Sequence, residues 1–362
     1  MTVPADDPDP RPDATLGWRT RDWVSLVGVT VVAAGVRGVR LTTPHSIYFD
    51  ENYYAVDACL YVRTYRGCAY AQRVVEVSSE HPPLGKWIIG LGIQAFGNDP
   101  LGWRVPSLIA GTLTVVVVFL LGRVLLRSTV AATVAAGLLA TDFLHLVQSR
   151  IAMLDVFVTL FTTETFLFVL YDSRFIGRSW LPPWRVAAGL AGGAATATKW
   201  AGALALIAAL GVATYGDLKR RRSGAAPGRA ADDAEWPWAH STTRRVARVA
   251  VPLVLIPAVT YVATFVGRVH GSLLAAPWDS DSWVRTFLGV HRRMASFHLN
   301  LGDSFHQYAS PAWSWLLLKR PVTYFFEATS GEYREVLAVG NPLVWWPASL
   351  TLALALWCWW RH

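Results

Sequence analysis

Two adjacent carboxylates, Asp50 and Glu51, stand among Tyr48, Phe49, Tyr53 and Tyr54. Further along the same stretch come His81 and Lys86, in the run His81-Pro82-Pro83-Leu84-Gly85-Lys86. A carboxylate beside an acceptor hydroxyl can act as a general base. Arginine and lysine can hold a phosphate and stabilise it as a leaving group. Arg37, Arg104, Arg150, Asp155 and Lys199 also lie at or near the ends of apolar runs. Taken singly, each has a plainer account as a snorkelling side chain or a structural ion pair. For Arg37, Arg150 and Asp155 the two readings weigh equally. The plainer account does less well with the set, because nearly all of these residues gather at one membrane face. Ionisable groups at membrane depth are costly and by default mark function.

Apolar runs must position these residues. The chain has 362 residues, of which 53% are hydrophobic and only 16% charged. Its mean hydropathy is positive. The apolar residues fall in blocks, several of them near the ~20 residues that cross a bilayer core as a helix. Such blocks read as helices rather than barrel strands. The expectation is an all-α polytopic membrane protein of about eight spans. These cover 23–41, 105–121, 130–147 and 151–171, then two short helices within 186–215 that meet at Lys199, then 249–266 and 343–360. Gly189, Gly192 and Gly193 suit close helix packing. Residues 87–96 are apolar but too short to span, and read as an interfacial helix.

Between the spans lie two long loops, 42–102 and 267–340, and a basic loop, 217–248. Residues 1–22 read as a disordered tail without a cleavable signal. Residues 23–362 form the membrane domain. Lys and Arg near the span ends put the N-terminus and the basic loop in the cytoplasm, and both long loops outside. The 18 Trp and 12 Tyr fit interfacial belts. The net charge of +8 points to anionic headgroups and loop orientation, not to nucleic acid. Cys59 and Cys68 share the first long loop, where a disulfide and two free thiols are equally open. The spacing builds no metal site, and no internal repeat is visible.

At the outer face, paired carboxylates beside cations describe transfer of a sugar from a lipid phosphate to a hydroxyl. A lipid-linked donor requires no nucleotide fold, and no Gly-rich phosphate loop is present. The motifs go further. Phe49-Asp50-Glu51, His81 to Lys86, Gly102-Trp103-Arg104, Arg150-Ile151-Ala152-Met153-Leu154-Asp155, Ala197-Thr198-Lys199-Trp200-Ala201-Gly202 and Gly340-Asn341-Pro342-Leu343-Val344-Trp345-Trp346 follow one another in order. In them the chain resembles the protein O-mannosyltransferases in their actinobacterial form, which are multispanning glycosyltransferases of the GT-C fold (glycosyltransferase family 39).

That resemblance implies inverting transfer of mannose from polyprenyl-phosphate-mannose to Ser/Thr hydroxyls of translocating polypeptides, beside the secretion translocon in the cytoplasmic membrane. It implies Asp50 as general base and Glu51 as a second essential acid. Arg37, Arg104 and Lys199 become contacts of the donor phosphate, with His81 and Lys86 shaping the same site. Arg150 and Asp155 match a family segment as site residues or as a structural pair. No cofactor or metal is implied. In the second loop, His298 and His306 are candidates for acceptor binding, and interfacial packing is the better account of Trp313 and Trp315. Family members continue with further spans, and this sequence stops after its eighth. Two alternatives stand beside this reading. One is a related transferase acting on a lipid or cell-wall glycan, and the other is an inactive truncated membrane subunit. A transporter fits less well, because the charges gather at one face rather than at the midplane.

Overall fold

The computed structural model describes residues 17–62, 68, 80–174, 181–222, 242–266, 282–300 and 310–361. Most of the 1–22 tail, most of the basic loop and His306 lie outside the described residues. The chain runs α1 (Thr20–Gly38), α2 (Glu51–Val62), α3 (Leu84–Phe96), α4 (Pro100–Leu126), α5 (Thr129–Ala140), α6 (Phe143–Gln148) and α7 (Leu154–Arg174). It continues through α8 (Pro183–Thr198), α9 (Gly202–Arg222), α10 (Thr242–Ala250), a π-helical turn at Val251–Leu255, α11 (Ile256–Ala263) and α12 (Ser282–Asn300). α13 (Ala312–Trp315), an antiparallel hairpin of β1 (Val322–Thr329) and β2 (Glu332–Ala338), and α14 (Pro342–Arg361) complete it. The hairpin is a departure from the expected all-helical chain.

Among the described residues, five helical stretches are long and apolar enough to cross a membrane: Pro100–Leu126, Leu154–Arg174, Gly202–Lys219, Val246–Ala263 and Pro342–Arg361. The other expected spans are helical but shorter or more polar. α1 starts at Thr20, earlier than expected, because Asp22 is useful inside the helix. Its buried carboxylate pairs with Arg123 of α4 at 2.8 Å and accepts from Thr129 at the start of α5. The expected span 130–147 is two helices. Asp142 ends the first and caps the second, accepting the His145 backbone N–H at 3.0 Å, since an Asp carboxylate competes well for free N–H groups at a helix start. The expected break at Lys199 is present. Lys199 is extended (φ −153°, ψ 137°) and closes α8, and Gly202 N–H bonds back to its carbonyl as α9 begins.

α4 lies at the centre, packed by α1, α3, α5 and α7. Trp103, Phe119, Phe157, Ile89, Ile93 and Leu154 fill the core around it. Expected as an interfacial element, α3 buries Ile89 and Ile93 and leaves Leu91 and Phe96 exposed. Elsewhere long apolar faces point outward: Val24, Val27 and Val31 on α1, Leu204 and Ile207 on α9, and most of α14. Exposed apolar surface on that scale suits hydrocarbon rather than water. Cys59 and Cys68 form a disulfide with Cα atoms 5.9 Å apart, which resolves the open choice between bridge and free thiols.

The small residues of α8 work as expected. A Cβ on Gly193 would lie 2.8 Å from the Cα of Pro257 and 2.8 Å from the Cβ of Thr260, whereas one on Gly211 of α9 would meet nothing within 4 Å. Gly193→Ala is therefore expected to destabilise by about 1–3 kcal/mol through overpacking. Gly211→Ala should hold or raise stability by about 0.4–1 kcal/mol through the unfolded chain. Melting temperatures of the two purified variants in detergent, compared with the parent, test both signs.

Candidate active site

The loop between α1 and α2 is held from beneath by one buried ion pair. Glu51 and Arg104 both have no exposed side-chain surface. Arg104 Nε donates to Glu51 Oε1 at 2.7 Å, and Nη2 to Oε2 at 2.9 Å. Its remaining donors reach the carbonyls of Leu41 (3.1 Å), Pro44 (2.7 Å) and Ser46 (3.1 Å). Glu51 also accepts from the backbone N–H of Ala152 (3.1 Å) and Tyr48 (3.4 Å). Every strong donor and acceptor of the pair thus faces protein. This satisfied arrangement is what makes two buried charges tolerable. It ties the loop to α4 and to the segment that opens α7. Arg104 further lies over the Tyr48 ring, 5.0 Å from its centroid.

Asp50 sits one residue away with a different fate. Its carbonyl accepts the N–H of Tyr54 at 2.9 Å, so it opens α2. Its side chain is half-buried. Phe49 before it adopts φ 49°, a left-handed conformation that costs a non-glycine residue about 1–3 kcal/mol and clusters at functional sites. The Phe49 ring is held by a stack on Tyr324, with centroids 3.9 Å apart and planes 17° from parallel.

Three further groups face Asp50. Lys199 Nζ bridges both carboxylate oxygens of Asp155 at 3.0 Å each, in a part-exposed pair. The Tyr54 hydroxyl, one helical turn on, donates to Asp50. Burial pushes the Asp50 carboxyl above the usual range; Lys199 and the Tyr54 hydrogen bond oppose the shift, and Asp155 adds to it. His81 is pushed down to about 3 by burial, then by Lys199, Lys86 and His298, so its ring is neutral near pH 7. Its buried Nδ1 has no hydrogen-bond partner among the described residues. His298 packs at 5.5 Å from His81 and 5.6 Å from Trp200, and contacts the Glu80 carbonyl through Nε2 at 3.0 Å.

The hairpin closes this side. The pairing of β1 and β2 slips between Thr323 and Phe325, leaving Tyr324 as an extra residue in the strand. Neighbouring strand residues normally face opposite ways, and a bulge re-aims them. Here Tyr324 stacks on Phe49 while Phe325 meets Tyr48 edge-on at 5.7 Å. The Tyr324 hydroxyl accepts from Gln148 Nε2 at 2.7 Å, and burial with the nearby charges of Asp155 and Asp50 raises its pKa.

The remaining sequence candidates lie within the protein. Lys86 Nζ pairs with Asp57 at 2.7 Å, joining α3 to α2, both side chains being buried. Arg37 is fully buried, donating to the carbonyls of Ala33 (3.1 Å) and Ala140 (3.4 Å) and contacting His145 Nδ1 at 2.8 Å. Arg150 donates to the carbonyls of Val39 (2.6 Å) and Arg40 (3.2 Å), closing the end of α1. Arg150 and Asp155 are not a pair: Asp155 faces Lys199, and Arg150 points the other way along the loop. Asn341 and Trp345 both donate to Asp142, at 2.9 and 3.0 Å, which anchors the start of α14 beside α6. Tyr54, Gln148 and Tyr324 are site residues that the sequence reading missed. The spacing of Tyr54 from Asp50 carried a signal; the hairpin residue, far along the chain, carried none. Among the described residues no three His, Cys, Asp or Glu side chains converge as a metal set.

Residues 27–270 match the model of the dolichyl-phosphate-mannose-protein mannosyltransferase family. Residues 283–361 match the C-terminal four-transmembrane region of protein-O-mannosyltransferase. The polyprenol-phosphate-mannose–protein mannosyltransferase of Mycobacterium tuberculosis (strain ATCC 25618 / H37Rv) is 29% identical over 94% of this chain and 71% of its own length. The protein of the same name from Mycolicibacterium smegmatis (strain MKD8) is 28% identical over 96% of this chain and 74% of its own. That from Corynebacterium glutamicum is 29% identical over 77% and 60%. Among solved structures, the S. cerevisiae protein O-mannosyltransferase Pmt1–Pmt2 complex bound to the sugar donor superposes with a TM-score of 0.53 at 20% identity. That match spans 70% of this chain and 34% of the yeast chain.

The two adjacent carboxylates should therefore separate by experiment. Glu51→Ala or Arg104→Ala leaves a buried charge without its partner, and should cost about 3–5 kcal/mol. Asp50→Asn removes a carboxylate that folding disfavours in its charged form, and should leave stability within about 0.5 kcal/mol or raise it. Thermal unfolding of the three variants in one detergent is the measurement.

Proposed function

The chain belongs to the dolichyl-phosphate-mannose-protein mannosyltransferase family, and from that premise we propose that it transfers mannose from polyprenyl-phosphate-mannose to Ser and Thr hydroxyls of exported polypeptides. The observation that carries the reading is the division between the two carboxylates. Glu51 is saturated by Arg104 and backbone N–H groups, while half-buried Asp50 has Lys199, Asp155 and the Tyr54 hydroxyl as its charged and hydrogen-bonding neighbours. One carboxylate base near one cation is what a single displacement needs.

In this mechanism the Asp50 carboxylate takes the proton of the acceptor hydroxyl. The hydroxyl oxygen bonds to the anomeric carbon from the face opposite the phosphate. The bond from that carbon to the phosphate oxygen breaks, the electron pair leaves with polyprenyl phosphate, and configuration inverts. Lys199 stabilises the charge that develops on the departing phosphate, and Asp155 holds Lys199 in place. Neutral His81, with its unpartnered Nδ1, supplies a hydrogen-bonding group to the sugar or the phosphate. Tyr54 and Tyr324 orient Asp50 and shape the acceptor side. Glu51, Arg104, Lys86, Arg37 and Arg150 act by positioning.

We place this face outside the cytoplasmic membrane, with the N-terminus and the basic loop inside and acceptors arriving from the translocon. The Cys59–Cys68 bridge supports that side, since disulfides persist in oxidising compartments.

Membranes from a host lacking its own such enzyme, carrying the chain and given polyprenyl-phosphate-mannose and a Ser/Thr-rich peptide, should add a hexose mass to the peptide. Asp50→Asn should lower the rate by about 10²–10⁴-fold; transfer undiminished in that variant removes Asp50 from the role given to it. A base works when deprotonated, so the rate should fall as pH drops through the Asp50 pKa. Because burial raises that pKa, the acid limb should lie above the range of an exposed aspartate. A rate flat down to that range would count against Asp50 as the base.

A further inference from the structure

The hairpin beside Asp50 has one covered strand and one open one. β2 packs against α6, and its last residues, Val336, Leu337 and Ala338, are wholly or partly buried. β1 is exposed along its length except at Tyr324 and Phe325, which meet Phe49 and Tyr48 of the loop. Among the described residues the backbone of β1 hydrogen-bonds to β2 alone. In an antiparallel pair alternate residues turn their N–H and C=O groups away from the partner strand. The outer edge of β1 therefore carries a row of unpaired donors and acceptors.

Native proteins blunt such edges with charged side chains or bulges, or cover them. Here the charges sit on the other strand. β2 carries Glu332, Arg334 and Glu335, whereas β1, Val322-Thr323-Tyr324-Phe325-Phe326-Glu327-Ala328-Thr329, carries Glu327 alone. Its remaining residues are mostly β-branched or aromatic, the types that favour strands. The bulge lies at Tyr324, within the site, and leaves Phe325 to Thr329 in regular register. Phe326 (60% exposed) stacks on Tyr333 (79% exposed), with ring centroids 6.2 Å apart, so an apolar platform stands beside the edge. At its other end β1 enters the site. Tyr324 stacks on Phe49, the residue before Asp50, and its hydroxyl lies near the charges of Asp155 and Asp50.

We propose that an acceptor polypeptide docks as a third strand on the outer edge of β1, and that this pairing delivers its Ser or Thr to Asp50. The inference rests on the reading of Asp50 as the base that takes the acceptor proton. Two features of the edge select this occupant. Unpaired N–H and C=O groups spaced along a strand are matched by an extended main chain, and the strand leads to the reacting carboxylate. From Tyr324 to Thr329 it runs about 17 Å, so it grips about five residues to one side of the modified one. Main-chain pairing supplies the affinity, and Phe326 meets alternate side chains of the guest.

The test is binding of a fluorescein-labelled peptide of roughly twelve residues, with one central Thr among Ala, Val and Gln, to the whole purified chain in detergent. Fluorescence anisotropy reads binding without donor, and hexose transfer is read separately. A series of these peptides, each N-methylated at one backbone nitrogen, should show a period of two on one side of the Thr. Methylation at every second residue should weaken binding by about threefold to tenfold, the loss of one hydrogen bond, and methylation at the residues between should leave it unchanged. Phe326→Ala should weaken binding of the unmethylated peptide about twofold to fivefold. The proposal is overturned if the peptide does not bind, or if N-methylation acts without alternation. It is equally overturned if Phe326→Ala dissolves a dimer and leaves peptide binding unchanged, which gives the edge to a second copy of the chain. Alternation in binding with no transfer supports the docking strand and removes the transfer reading; transfer without alternation keeps that reading and removes the strand. The peptide series uses the parent protein throughout, so it decides even where Phe326→Ala fails to fold.

Discussion

The ion pair between Glu51 and Arg104 carries the geometry of the site. Each buried charge costs several kcal/mol in lost hydration, so the pair persists only where all its hydrogen-bonding positions are met. Meeting them required three separate pieces of chain to converge: the carbonyls of residues 41–46, the start of α4, and the backbone at Ala152. Once they converge, the loop has little freedom left. Asp50 follows Phe49, which is in a strained conformation, and stays half-buried where Glu51 is fully buried. Two neighbours in sequence become a structural acid and an open one because a residue at a helix start and the next around the turn face different surroundings.

The same sorting runs through the other cations. Lys86 is spent on Asp57, Arg185 on Asp172 and Asp217, and Arg123 on Asp22. Lys86 and Arg123 each join two helices at a buried point, and Arg185 joins α8 to both α7 and α9. Lys199 differs because α8 ends on it: with the backbone extended there, its side chain leaves the helix packing and reaches the part-exposed Asp155. The break between α8 and α9 thus lets a cation stand at the edge of the core, paired with a part-exposed carboxylate. Around it lies an aromatic and histidine wall of Trp200, His298 and His81, where low polarity keeps His81 neutral.

Close packing supplies the rigidity behind this. α8 approaches the π-helical turn and α11 through Gly189 and Gly193, against Pro252 and Pro257, and in lipid such contacts replace the hydrophobic drive that water would give. On the other side, Asp142 gathers the His145, Asn341 and Trp345 donors. It thereby joins the α5–α6 break to the base of α14 and the hairpin. The hairpin then reaches the loop through Tyr324 and Phe325.

What the sequence determined by itself was set by local rules. Membrane character, the helix break at Lys199, the small-residue seam of α8 and the family motifs all follow from composition and short spacing, because hydropathy and backbone preference act within one or two turns. The motif residues were legible as a set, but their division was not. Nothing local to Asp50-Glu51 says which carboxylate is buried, nothing near Arg104 or Lys86 names its partner, and adjacency in one segment wrongly suggested Arg150 with Asp155. Tyr324 could not be found at all, since its place depends on a one-residue slip in a hairpin far along the chain. Only the tertiary structure decided these. A charge becomes structural or open according to whether distant backbone groups arrive to complete its hydrogen bonds, and that is a property of packing rather than of sequence neighbourhood.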